Sequence, residues 1–236
     1  LGDDGNGYYS TANEIYTIIL MISSFSLPLA VSRLVAEREY AGEVKNSYRV
    51  LICSLRFAAV AGGILSILTF LLGGVITKYV MGVELASYAL RVLAPAIFLF
   101  ALTGVLRGFF QGHGTMVPTA VSQIIEQIIN AIVSVAGAYV MLQYGLKLGE
   151  KKGDAELGTA LAAAGGTFGT VASVGVALLF MIVIYLGYRN GFKRRMKKDK
   201  TRRRESDRAI YRAITYTILP IVLSTLVYNI STIIDQ

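Results

Sequence analysis

Glu126 is the residue whose surroundings most demand a chemical role. Gln123, Gln127 and Asn130 lie within four residues of it, and Thr119, Ser122, Glu126, Asn130 and Ser134 recur at intervals of three or four. That spacing sets them on one face of a helix. The flanking sequence is apolar enough to place the carboxylate near mid-membrane, where a charge costs at least about 2.5 kcal/mol on insertion scales. Glu126 is therefore expected to face a cavity or a partner, with Gln123 and Asn130 beside it, where a carboxylate can take a proton or a cation. Glu14 carries a similar stripe with Ser10, Thr17, Ser24 and Ser32, and Asp235 closes a third after Thr217, Pro220, Ser224, Tyr228 and Ser231. The competing reading is structural, since isolated hydroxyls and amides often bond between membrane helices without lining anything.

The arginines suggest the opposite chemistry. Arg56 shares a helical face with Ala59, Gly63 and Ser66, small residues that let helices approach, while Arg91 and Arg107 bound another apolar span. A guanidinium turned into a bundle must meet an acid or an anionic ligand, and its planar fork suits phosphate oxygens. Arg56 and Arg107 are the position-based candidates for holding an anionic substrate. Catalysis is not expected. The one histidine, His113, falls in a Gln-Gly-His-Gly turn and reads as a loop residue, Cys53 is the one cysteine, and no glycine loop sits between a strand and a helix. No nucleophile–histidine–acid set and no metal-ligand set can be assembled, so no cofactor and no enzymatic activity are implied.

The elements that must position these residues are apolar helices. Hydrophobic residues make up 54% of the 236 and charged residues 16%, too few charges for the surface of a soluble domain. Uncharged runs near the roughly 20 residues needed to cross a bilayer core recur at Ile15–Ser32, Phe57–Thr77, Val92–Leu106, Gln127–Leu146, Leu157–Tyr188 and Ala213–Ile234. The fold class is all-α, a polytopic membrane helix bundle. Eleven of the 23 basic residues fall between Arg189 and Arg208, against Asp199, Glu205 and Asp207. The net charge of +8 belongs to this one stretch, so the basic balance points to anionic headgroups and not to nucleic acid. The excess of base also places the first, third and fifth connections in the cytoplasm, although Lys147, Lys151 and Lys152 oppose it at the fourth. The leading segment then lies outside. An intact protein with a cytoplasmic start needs one more helix before Leu1, and the chain reads as a fragment.

Two stretches carry a resemblance. Phe25–Glu37 reads FSLPLAVSRLVAE and Leu106–Gln127 reads LRGFFQGHGTMVPTAVSQIIEQ. Both resemble the polysaccharide-exporter and stage V sporulation protein B-like branch of the multidrug/oligosaccharidyl-lipid/polysaccharide flippase superfamily, related to lipid II flippases. The resemblance implies twelve to fourteen helices in two six-helix bundles facing a central cavity, rocking to give alternating access. Residues 1–188 then hold most of the first bundle, as helices at about 8–36, 48–77, 85–112, 117–145 and 157–188. Residues 189–207 form a basic cytoplasmic linker, and 208–236 begin the second bundle. It further implies a multi-pass protein of the bacterial cytoplasmic membrane, flipping an undecaprenyl-pyrophosphate-linked oligosaccharide for cell wall, spore cortex or polysaccharide. Membrane lipids and a coupling proton or sodium ion are the other implied partners. Arg33, in SRLVAE, is the arginine the resemblance carries to the substrate. Two other functions stay open: a drug/cation antiporter of the same superfamily, which would use Glu14, Glu126 and Asp235, and a non-transporting scaffold for envelope synthesis.

Overall fold

The computed structural model describes residues 2–21, 26–79, 82–152, 156–201 and 204–234, and all regular structure among them is helical. The helices are α1 (Gly2–Leu20), α2 (Ser26–Tyr40), α3 (Val44–Tyr79), α4 (Ala86–Gly112), α5 (Val117–Lys152), α6 (Leu157–Lys198) and α7 (Asp207–Ile234). Of these, α3, α4, α5 and α6 are each long and apolar enough to cross a membrane. Their exposed faces agree with a lipid solvent. Ile64, Ile67, Leu71 and Val75 form a bare apolar stripe on α3, and Ile124, Ile128, Ile132 and Val135 form another on α5. A water-soluble surface does not carry such stripes.

The apolar run over Ile15–Ser32 is shared between α1 and α2, and residues 22–25 lie outside the described residues. Pro28 falls in the first turn of α2, where its missing N–H takes nothing from the ladder. Farther along the chain, α6 continues 42 residues to Lys198 and takes up the first half of the basic run. Lysine, arginine and methionine are good helix formers, so charge alone does not end a helix.

The chain divides into two compact units, and α3 to α6 each contribute one part to either unit. The first comprises Leu1–Ile19, Gly63–Leu99 and Gln123–Ala177. Its tightest joint is between α5 and α6: a Cβ on Gly165 would lie 2.2 Å from the Gly137 carbonyl oxygen, and one on Gly169 would lie 2.0 Å from Ser134 Oγ. The helix backbones touch, as expected of small residues repeated at four-residue spacing.

The second unit comprises Leu20–Gly62, Phe100–Ser122 and Leu178–Gln236. In it α2 lies on α4, with a Cβ on Gly108 only 2.5 Å from the Pro28 carbonyl oxygen and one on Gly112 only 2.7 Å from that of Ser32. The core is bulkier than the first unit's joint. Leu27, Val31, Leu51, Phe109, Phe110, Phe192, Ile210 and Ile214 are all buried in one cluster, and the Phe109 and Phe192 rings meet edge to face at 5.5 Å, the arrangement aromatic quadrupoles favour.

Candidate functional site

The alternation of buried and exposed positions on α2 explains its role. Leu27, Ala30, Val31, Leu34 and Val35 are buried, which turns Leu29, Arg33 and Glu37 outward on the opposite face. On α7, Ile210 and Ile214 are buried while Arg208, Arg212 and Tyr216 are exposed at intervals of four. The two outward faces border an open groove of about 600 Å³ lined by Leu29, Arg33, Glu37, Tyr216, Pro220 and Ile221, among others. It shares Ala213 and Tyr216 with a second hollow of about 510 Å³, lined by Ser206, Arg208 and Arg212. One end of this surface is thus basic, and the other is apolar apart from the Arg33–Glu37 ion pair.

The three substrate-binding candidates meet three different partners. Arg33 is exposed, and its Nε donates to Glu37 Oε1 at 3.1 Å one turn along α2. Arg107 is buried on α4, donates from Nε to Ser122 Oγ at 2.9 Å, and places its guanidinium 6.0 Å from the Phe100 ring centroid. Arg56 is exposed, its Nη1 standing 3.5 Å from Asp207 Oδ2. The spacing of Ala59, Gly63 and Ser66 from Arg56 predicts a side chain turned into the bundle, but spacing fixes angles within a helix and not which face meets a neighbour. The acid that answers Arg56 is at the start of α7.

The coupling candidates fall mostly in the first unit. Glu14 and Gln123 are exposed, while Glu126 and Asn130 are half-buried. The charge of Glu126 acts on the Tyr16 phenol of α1, and Asn130 Oδ1 accepts from Ser134 Oγ at 2.9 Å. Asp235 lies outside the described residues. Several isolated hydroxyls close onto their own helices: Thr17 donates to Asn13 O at 2.7 Å and Thr217 to Ala213 O at 2.8 Å. Such back-bonding satisfies a hydroxyl without a cavity.

Two arrangements were not anticipated. The first is a clasp. Asp199, Glu205 and Asp207, the acids of the basic run, each meet α2 or α3: Asp199 accepts from the Lys45 backbone N–H at 2.7 Å, Glu205 pairs with Arg38 at 2.8 Å, and Asp207 pairs with Arg49 as well as Arg56. Asn46 Oδ1 also accepts from the Glu205 N–H at 3.1 Å. Partial burial would raise the Asp199 carboxyl, but hydrogen bonds from Thr201 and Lys45 and the Lys45 charge outweigh it and hold the group below its ordinary value. A faint signal existed, because Lys45, Arg49 and Arg56 share one face of α3. The second is the setting of His113, which lies in the turn after α4 as expected but has its side chain only 3% exposed and Nε2 at 3.3 Å from Glu39 Oε1.

Compared with known proteins, residues 1–236 match the family described as polysaccharide biosynthesis protein. The chain belongs to that family. Among curated relatives of the family member, it is similar to the stage V sporulation protein B of Bacillus subtilis (strain 168), 27% identical over 185 residues, covering 78% of this chain and 33% of that protein. It is also similar to the lipid II flippase MurJ of the same organism, 27% identical over 151 residues, covering 61% of this chain and 28% of that one. A third relative there, the uncharacterized membrane protein YabM, is 33% identical over 124 residues, 52% of this chain and 22% of that protein. The chain spans about a third or less of the length of these curated relatives. No solved structure matches it. Family membership and the four apolar helices together make this a multi-pass protein of the cell membrane.

Proposed function

We propose that the protein of which this chain is part flips a lipid-linked, negatively charged glycan precursor across the cell membrane by alternating access, the precursor being an undecaprenyl-pyrophosphate-linked oligosaccharide. The observation that carries this reading is the surface between α2 and α7. Arg208 and Arg212 are exposed with no ion-pair partner among the described residues, Arg33 stands farther along, and Leu29, Pro220 and Ile221 continue as an apolar wall. A basic end followed by an apolar one suits an amphiphile with a phosphate head and a hydrocarbon chain. Fixed guanidiniums replace the water such a head loses on leaving bulk solvent. The names of two relatives, a lipid II flippase and a sporulation protein, point the same way.

The test is a flipping assay on the intact protein with accumulation of the lipid-linked precursor as readout. Arg33→Ala is expected to insert normally and lose most flipping, and Arg33→Lys to keep part of it, because lysine keeps the charge without the fork. Undiminished flipping by Arg33→Ala at normal expression removes Arg33 from the substrate path. A second reading, a drug/cation antiporter, draws on the half-buried Glu126 beside Tyr16. It expects Glu126→Gln to abolish cation-driven efflux with precursor levels untouched.

A further inference from the structure

The buried acid and base at Glu39 and His113 are used by nothing described so far. His113 follows the last residue of α4 in a turn closed by Gly114, whose φ of 78° suits glycine. Its ring is walled by Phe109 at 4.3 Å, Phe192 at 5.3 Å and Tyr188 at 6.1 Å between centroids. The ring nitrogen Nδ1 lies 2.8 Å from the Phe109 carbonyl oxygen. A carbonyl can only accept, so Nδ1 carries a hydrogen and donates it. That settles one nitrogen and leaves Nε2.

Nε2 lies 3.3 Å from Glu39 Oε1. Both atoms are buried, and neither has a hydrogen-bond partner. With the first hydrogen on Nδ1, a neutral ring would point the Nε2 lone pair at an ionised carboxylate. Two buried acceptors would then face each other with no hydrogen between them, each bearing the full penalty of an unmade bond. One added proton replaces the two facing acceptors by an ion pair at 3.3 Å. Its position follows from the neighbours: Arg195 donates to the other oxygen, Glu39 Oε2, which favours the carboxylate, and the C-terminal carbonyls of α4 favour a cation at His113. We propose that Glu39 and His113 form a proton-binding site, holding one proton as a buried imidazolium–carboxylate pair that ties α2 to α4.

The charged and titratable groups facing the ring among the described residues are Glu39 from α2, and Tyr188 and Arg195 from α6. With Arg195 on one carboxylate oxygen and His113 on the other, Glu39 bridges three helices. A conformation that draws α2 away from α4 at this point breaks the ion pair that holds the proton on His113. The pair therefore links protonation to movement whatever the protein transports, and its test does not depend on the substrate.

The experiment uses the intact protein in lipid bilayers, labelled with ¹³C-carbonyl glycine and ¹⁵N-histidine so that the Gly112–His113 bond selects this ring. Solid-state NMR is then recorded through a pH titration. Protonated signals from both ring nitrogens are expected at about pH 7, the Nε2 proton being held by the Glu39 carboxylate. In Glu39→Gln the second protonated signal should be lost at the same pH. A neutral ring in the wild type at about pH 7, which needs no variant to observe, overturns the proposal. So does a doubly protonated ring that survives in Glu39→Gln.

Discussion

The α5–α6 joint of the first unit and the linker clasp of the second hold their parts by opposite means. At the joint, Gly137 and Gly165 bring backbone against backbone with no charge involved. At the clasp, three acids in a basic run reach bases of α2 and α3 across more than 150 positions of sequence. Contact at van der Waals distance leaves no room for a larger side chain but is indifferent to salt and pH. Partly exposed ion pairs tolerate changes of size, yet are weakened by screening and by protonation. One region is built to stay closed, and the other can let go when conditions change.

The largest effect should come from filling the joint. Gly165→Val forces a side chain into the Gly137 backbone and is expected to lower stability by about 3 kcal/mol or more, read as a large fall in the thermal midpoint of the intact protein. Gly187→Ala is the contrast on the same helix, since nothing lies within 4 Å of a Cβ there. It should be neutral or stabilising by up to about 1 kcal/mol from helix propensity. Equal losses in the two variants would mean that the close backbone contact at Gly165 is not the source of the effect.

A smaller effect is expected at the clasp. Asp207→Asn takes the shared partner from Arg49 and Arg56, whose side chains are 33% and 63% exposed. At that exposure the loss is about 0.5–1 kcal/mol at low salt, shrinking towards zero as added salt screens the wild-type pairs. A loss that stays constant from low to high salt would mean that Asp207 acts through packing.

The smallest effect concerns pH. The Asp199 carboxyl is held below its ordinary value in the folded chain. Its contribution to docking the linker is therefore complete above the unfolded carboxylate pKa and is lost as pH falls through the lower folded one. Protease cleavage within 199–206 should accelerate only on the acid side, and Asp199→Asn should flatten that dependence. Acceleration on the alkaline side instead would assign the pH response to another group.

What the sequence disclosed follows from the reach of its signals. Membrane character was legible because it rests on composition, and the four-residue spacing of Gly108 with Gly112 and of Gly165 with Gly169 is likewise a local pattern. The partners of Arg56 and His113 were not, because the acids that meet them lie 151 and 74 positions away and nothing local marks them. His113 does lie in the turn that the Gly-His-Gly sequence suggests, but nothing local marks the rings of Phe109, Tyr188 and Phe192 that stand around it. The roles of Arg33, Arg56, Arg107, Glu14, Gln123, Glu126, Asn130 and Asp235 in transport rest on experiments such as those above.

The continuation of α6 through the basic run turns a collection of charges into a ruler. At 1.5 Å per residue, Arg189 to Lys198 extend about 15 Å beyond the last apolar turn at Tyr188, each base at a fixed height along the axis. The reach of a charged surface at physiological salt is only about 8 Å. For a bilayer surface at the level of Tyr188, Arg189 and Lys193 would fall within that reach, while Lys197 and Lys198 would stand beyond it. A disordered tail of the same composition would blur that gradation, and the helix preserves it.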